Sequence, residues 1–535
     1  MGLLTTRDPA PAAEPRDGGL LYGLLATVWL ATLPLGSKRT VAVAAMVFTV
    51  FGLSAWAGWL WRHHGAEALA RLKPVRWPLG LLLVLSAWMA LQASPLPGPL
   101  VQWLSPEAWA VQAGVTPRFT LSLDPQHTRI QAALGLALAL AFALVVLVMR
   151  NRQRIDTGVM GLVLIGLFQA LLGLLLWSAQ ARYPFLYFDV SHAEVKGSFG
   201  NRNHMAGFLV LVLSMGIGLM VARLGSARSQ QGRHWRGRVS GALAFVLSAK
   251  MRLRLVLVVL VIALVLTRSR MGNTAFFAAM LVTGLLTLLL SRRAAPSMVV
   301  LVASLVVIDV LVVGTWVGLE KVLERIQGTD LLMEQDAVPE ARPANPLPPP
   351  GPAGQNAAPS TGAVAPPAPG AAAQKAPEVR PVGKQESVEE RQLAARFALD
   401  LIDDFPVAGT GAGSFYGSFI RYRSPGDAFF DHAHNDYAET AANLGLVGLG
   451  LKGLLVLLSL AKNLQTLARR RSSMARGMAF GALMATLAMA IHATVDFNLQ
   501  IPVNALLMVI VLAIGWAAAE LPSGARRELG APVGG

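Results

Sequence analysis

Residues 132–149 read AALGLALALAFALVVLVM, eighteen consecutive residues without one polar side chain, and RNRQR follows at 150–154. A run of about 18 apolar residues is long enough to cross a bilayer as a helix. A basic cluster at its end marks the side that stays in the cytoplasm. Similar runs recur along the chain. Counting the quoted one, about twelve apolar segments lie near 19–36, 40–61, 77–93, 128–149, 157–178, 203–222, 255–267, 272–290, 297–318, 438–460, 477–495 and 501–519. The seventh is short, and the flanking Lys250, Arg252 and Arg254 are expected to snorkel to the interface. The fold class expected is all-α: a polytopic membrane protein of about twelve helices.

The composition agrees. The chain has 535 residues, 54% hydrophobic and only 14% charged, with a mean hydropathy of +0.52. A soluble domain carries about 25% charged residues. There is no cysteine, which excludes disulfides, thiolate nucleophiles and cysteine metal sites. The net charge of +16 sits in short connections: Arg62 to Arg76 after the second segment, Arg150 to Arg154 after the fourth, Arg223 to Arg254 after the sixth, Arg292 and Arg293 after the eighth, Lys462 to Arg476 after the tenth. Every even-numbered connection is basic. That is a topology signal placing both termini in the cytoplasm, and no basic surface with stacking aromatics suggests a nucleic-acid partner.

The expected organisation is a cytoplasmic tail at 1–18, nine spans over 19–318, an outward loop or lobe at 319–430, three spans over 431–519 and a second cytoplasmic tail at 520–535. The first apolar block lacks a small-residue cleavage site and reads as a signal anchor. Within the lobe, 335–385 is rich in Pro, Ala and Gly and cannot bury a core, so it reads as a disordered insert. After it, Leu393, Phe397, Leu401 and Phe405 recur every four residues, which predicts a helix ended by Pro406.

Polar residues gather at four outward places. Asp431-His432-Ala433-His434-Asn435-Asp436 lies at the outer end of the tenth span, where such side chains are costly unless used. The plainer reading is a solvated loop with a helix cap. Gly197 to His204 enters the sixth span, with Asn201 and Asn203 suited to sugar hydroxyls or, equally, to a turn and a cap. Thr267-Arg268-Ser269-Arg270 puts two arginines outside, against the charge rule, as do Lys38 and Arg39 in the first connection and Arg391 and Arg396 on the helix before the histidines. Structural snorkelling explains them; so does a phosphate site, since guanidinium holds phosphate oxygens bidentately. Asp496, in His492-Ala-Thr-Val-Asp-Phe-Asn, is read as structural, holding an arginine or histidine. No nucleotide-binding loop is present, and the first outward loops carry no Asp-x-Asp pair for a divalent metal. No metal site and no cofactor are expected.

These pieces resemble the O-antigen ligase/O-antigen polymerase superfamily of bacterial inner-membrane proteins. The matching stretches, in the family's order, are GSFGNRNHMAGFL, LVLTRSRMGN, RQLAARFALDLIDDFPVAGTGAGSF, DHAHNDYAETAANLGLVG and HATVDFNLQIPVNA; the likeness runs from about residue 120 to about 515. The resemblance implies a GT-C-like bundle with a helical periplasmic lobe. It implies transfer of a glycan from an undecaprenyl-diphosphate-linked donor to a hydroxyl of lipid A–core, without metal and with inversion at the anomeric carbon. It further implies catalytic roles for Arg270, Arg391 and His434. Arg391 is preferred over Arg396 for its distance to Pro406, and His434 over His432 because it precedes Asn435. Lys38, Arg39, Asn201, Asn203, Arg268, Arg396, His432 and Asn435 would bind substrate, and Asp496 would support the site. Rival readings are a polymerase whose acceptor is another lipid-linked repeat unit, a protein O-oligosaccharyltransferase, and, in a different class, a twelve-span transporter.

Overall fold

The computed structural model describes residues 17–181, 194–224, 249–290, 388–425 and 427–522, all within one compact unit. The apolar segment at 297–318 and the insert at 335–385 lie outside the described residues. Among those described there is no strand, only an isolated bridge between Leu96 and Phe119. The principal helices are α1 (Gly18–Thr32), α2 (Thr40–Trp61), α3 (Gly65–Leu72), α4 (Arg76–Gln92), α5 (Gly98–Leu104), α6 (Pro106–Gln112), α7 (Pro125–Val148), α8 (Arg152–Ser178), α9 (Arg202–Leu224), α10 (Ala249–Leu266), α11 (Arg270–Leu290), α12 (Val388–Asp404), α13 (Asp436–Arg469), α14 (Ser473–His492) and α15 (Pro502–Ala519).

Among the described residues, nine helical stretches are long and apolar enough to cross a membrane. Two further apolar helices complete the pattern: α1, of 15 residues, and α10, of 18, whose first turns carry Lys250, Arg252 and Arg254. The chain is an all-α, multi-pass membrane protein. Helix α9 is its axis, with its apolar stretch wholly buried. It touches α14 backbone to backbone. A methyl group added at Gly218 would strike the carbonyl of Gly477, and one added at Gly481 would lie 2.7 Å from the carbonyl of Ser214. In lipid no hydrophobic force drives helices together, so small residues that permit this close approach hold the seam.

One end of the bundle gathers described residues of the basic connections. Buried Asp17 pairs with Arg150 at 3.2 Å and Arg154 at 2.6 Å, Arg223 holds Asp156 bidentately, and Lys462 reaches Glu520 at 2.7 Å. A cleft of about 240 Å³ there is lined by Arg71, Arg150 and Glu520 among others. Asp17 and Glu520 therefore lie beside these basic residues.

The opposite end carries the lobe. Helix α12 forms where the four-residue repeat predicts it, and it buries Ala394, Phe397, Ala398 and Leu401. These pack with Phe405, Phe415, Phe419 and Phe430, and also with Val101, Ala108 and Leu121 from the connection at 94–124. The lobe thus draws on two connections far apart in sequence. It is anchored through a break in α13 at Gly445, which has φ 66° and ψ −176°. The carbonyls of Ala442 and Asn443 accept the amides of Thr410 and Gly411, and Leu446 donates to Pro406. Trp88 and Gln92 on α4 also donate to carbonyls of this break. A broken helix at membrane depth is tolerated only where such partners are supplied.

Candidate active site

The four polar clusters meet where the lobe joins the bundle. The first connection folds as three successive left-handed residues, Leu35, Gly36 and Ser37, with φ of 59°, 68° and 63°. A side chain at Gly36 would run into Phe199 and Ile501, so only glycine lets the turn lie this close. The turn delivers Lys38 to Asp431, with Nζ 2.9 Å from Oδ2. Both Lys38 and Arg39 are exposed. The second cluster is pinned by Ser198, whose buried hydroxyl bonds the Thr32 carbonyl and Gln169. Val195 donates to the Leu266 carbonyl at 3.0 Å, which brings this segment beside Thr267–Arg270. The Asn201 carboxamide accepts the Asn203 amide at 2.8 Å, the local turn role, while the Asn203 side chain is nearly buried.

Arginines converge here. Arg202 is paired with Glu194 at 3.0 Å, and both Arg270 and Arg391 lie within electrostatic reach of it. Arg391 also acts on His492. Its guanidinium is half-buried, and its Nε has no hydrogen-bond acceptor among the described residues. Arg396, one and a half turns on, is exposed. Arg268 is exposed with a left-handed φ of 52°, and Arg270 is exposed at the start of α11. Guanidinium groups gathered in one place are suited to an anionic ligand. Sequence reasoning missed Arg202, although it chose both of its neighbours; its place between Asn201 and Asn203 was the available signal.

The segment 431–436 assigns a different task to each residue. Crowding at the lobe floor works to raise the Asp431 carboxyl, although its side chain stays 66% exposed. The Lys38 ammonium outweighs this and holds the group below the ordinary carboxylate value. His432 places Nδ1 2.8 Å from Oε1 of Glu439, and Oε2 of Glu439 accepts the Ala433 amide at 2.9 Å. His434 is 8% exposed and has a left-handed φ of 52°. Asn435 caps α13, accepting the amides of Tyr437 and Ala438, and donates to the Thr494 carbonyl at 3.0 Å. The plainer expectation of a helix cap thus describes its carboxamide. Asp436 is buried and accepts from the Leu499 amide and the Gln500 side chain.

Phe497 is the hub. His432 stacks on its face at 4.1 Å, while His434 and His204 meet it edge-on at 5.0 and 4.8 Å. Its neighbour Asp496 lies 3.9 Å from both His204 and His492 and accepts the Phe497 amide. Among the described residues no group of three or more His, Asp or Glu is arranged to hold a metal ion.

No curated protein matches the chain. A family model described as O-antigen ligase matches residues 255–452. That stretch contains Arg268, Arg270, Arg391, Arg396, His432, His434 and Asn435, and it ends just beyond the Gly445 break. Over that stretch, together with the ordered motifs around it, the chain is similar to the O-antigen ligase family.

Proposed function

We propose that the protein is an O-antigen ligase-like glycosyltransferase. It moves a glycan from undecaprenyl diphosphate to a hydroxyl of lipid A–core at the periplasmic face of the bacterial inner membrane. The basic end of the bundle, with both termini, faces the cytoplasm, and the lobe faces the periplasm. The observation that carries the reading is the gathering of Arg202, Arg270 and Arg391, with Arg391 in electrostatic reach of His492, whose partner Asp496 adjoins the Phe497 ring that His432 and His434 contact.

The chemistry follows from charge. The acceptor oxygen attacks the anomeric carbon as the bond to the diphosphate oxygen breaks, and the electron pair leaves with the diphosphate. Arg270 and Arg391 stabilise that developing charge, with Lys38 and Arg39 at the rim. His434 takes the hydroxyl proton on a ring nitrogen as general base. One displacement inverts the anomeric configuration. The arginines supply the positive charge a metal would otherwise bring.

The test is reconstitution of the full chain in liposomes with undecaprenyl-diphosphate-linked glycan and lipid A–core, in excess EDTA. Ligation read on a gel supports the proposal. Dependence on added magnesium or manganese would overturn the metal-free mechanism. Extension of the lipid-linked chain without capping of lipid A would make the protein a polymerase.

A further inference from the structure

Glu439 has no part in the reaction as derived so far, yet it is 2% exposed at the floor of the site. Both of its oxygens are committed to the segment above. Oε2 accepts the Ala433 amide, and Oε1 lies 2.8 Å from His432 Nδ1. In the neutral ring whose Nδ1–H donates to this carboxylate, the other ring nitrogen, Nε2, is left as a hydrogen-bond acceptor. The ring cannot swing, because it lies 4.1 Å from the Phe497 ring at an interplanar angle of 21°. The His432 side chain keeps 20% of its exposure, so the fixed imidazole borders open space rather than core. On the same Phe497 ring, edge-on, sits His434.

We propose that the Glu439–His432 pair is the acceptor-hydroxyl subsite: His432 Nε2 accepts a hydrogen bond from a hydroxyl of the acceptor glycan, and Glu439 is the positioning residue that fixes the ring. The inference rests on the transferase reading above and adds the residue that selects and orients the acceptor. A ring held by a carboxylate on one nitrogen and by stacking on its face offers one lone pair in one direction. That suits recognition of a sugar hydroxyl beside the one that reacts, and a hydrogen bond matched to a hydroxyl discriminates strongly against analogues lacking it. Holding the acceptor here places its neighbouring hydroxyl at His434.

The experiment is steady-state kinetics of the full chain in liposomes, varying lipid A–core at saturating undecaprenyl-diphosphate-linked glycan and the reverse. His432→Gln and His432→Ala should raise the acceptor KM by about 5- to 30-fold, the worth of one buried hydrogen bond. The donor KM should stay unchanged and kcat should stay within about threefold. Glu439→Gln should raise the acceptor KM in the same way in the wild-type background and add nothing in a His432→Ala background, because it acts only through that ring. An unchanged acceptor KM in His432→Gln overturns the subsite while leaving the transferase reading intact. So does a collapse of kcat with KM unchanged, which would make His432 the proton acceptor. Multiplying effects of Glu439→Gln and His432→Ala would reduce Glu439 to a packing role. A wild-type protein that does not turn over the donor sinks the transferase reading and the subsite with it.

Discussion

Lys38 in the first connection and Asp431 at the end of the lobe, 393 residues apart, form a 2.9 Å ion pair across the mouth of the site. Both partners are substantially exposed, at 43% and 66% of their side chains, so the pair is worth about 0–1 kcal/mol. Its sign with pH is set by Asp431, whose carboxyl is held below the ordinary value. The contribution is fully present above that ordinary value, about 3.9, and is lost only as pH falls through the lowered one. Asp431→Asn should therefore change thermal stability little between pH 5 and 9, and any loss should show no inflection in that window. A midpoint near pH 6 in the wild-type melting profile that vanishes in Asp431→Asn would contradict the assignment.

The arginines make a sharper case. Guanidinium presents five donors in a plane and can hold two diphosphate oxygens at once, whereas ammonium is a point charge. Arg270→Lys and Arg391→Lys should each lose most of the transfer rate, by about tenfold or more, the difference between charge-assisted bidentate and single contacts. Arg396→Lys should stay near wild type because that side chain is exposed on the outer turn of α12. Liposome turnover decides it. Full activity in both of the first two variants would confine these arginines to folding or topology.

What the sequence disclosed depended on range. The spans were legible because a lipid-facing helix must be apolar along its whole length, and α12 was legible because Phe397, Leu401 and Phe405 repeat locally. The joining of 94–124 to the lobe was hidden, since Val101 and Phe397 share one core only through tertiary packing. The break at Gly445 was hidden for another reason: LGLVGLG reads as continuous span until the amides of Thr410 and Gly411 are seen docking on the carbonyls of Ala442 and Asn443. The site residues were chosen largely from motif order. Glu439 escaped notice because a glutamate in the first turn of a helix is an ordinary partner of the helix dipole.

That break gives a stability prediction. Gly445 and Gly409 both have positive φ, 66° and 69°. A methyl group at Gly409 would lie 2.5 Å from the backbone of Asn443, and one at Gly445 would strike the Val407 carbonyl. Left-handed backbone costs a non-glycine residue about 1–3 kcal/mol, and overpacking adds about as much again. Gly445→Ala and Gly409→Ala should melt well below wild type in detergent. Gly450→Ala, where the added group meets nothing within 4 Å, should melt with wild type. Equal stability of all three would mean the lobe does not depend on this junction.

Topology is testable with the chain's own lack of cysteine. A membrane-impermeant maleimide applied to intact spheroplasts should label Trp103→Cys, on α5 of the lobe and 78% exposed, and should not label Arg71→Cys in the basic connection after α2. The basis is the gathering of Arg71, Arg150 and Glu520 at one end and of the lobe at the other. The reverse pattern would invert the protein and move the proposed site to the cytoplasm.

His434 is the residue on which the proposed chemistry turns. It is held in left-handed backbone, two residues before α13 begins, with its ring edge-on to Phe497 and 8% exposed. A histidine in that conformation carries strain of about 1–3 kcal/mol, which persists only if the surrounding contacts fix it. His434→Ala relieves none of this strain and removes the imidazole, so transfer should fall by about 10²- to 10⁴-fold, the usual share of a general base. Donor binding should be unchanged. His434→Gln keeps a hydrogen-bonding side chain but cannot take up a proton, and it should be nearly as poor. His434→Gly removes the backbone strain as well; it should match or exceed wild type in stability while remaining inactive. Those two readouts separate the roles. If the glutamine variant turns over at a near-normal rate, His434 positions the acceptor and does not accept its proton. If the glycine variant fails to accumulate in membranes, the side chain is holding the lobe to the bundle, and the proton acceptor must be sought at His432, stacked on the same phenyl ring.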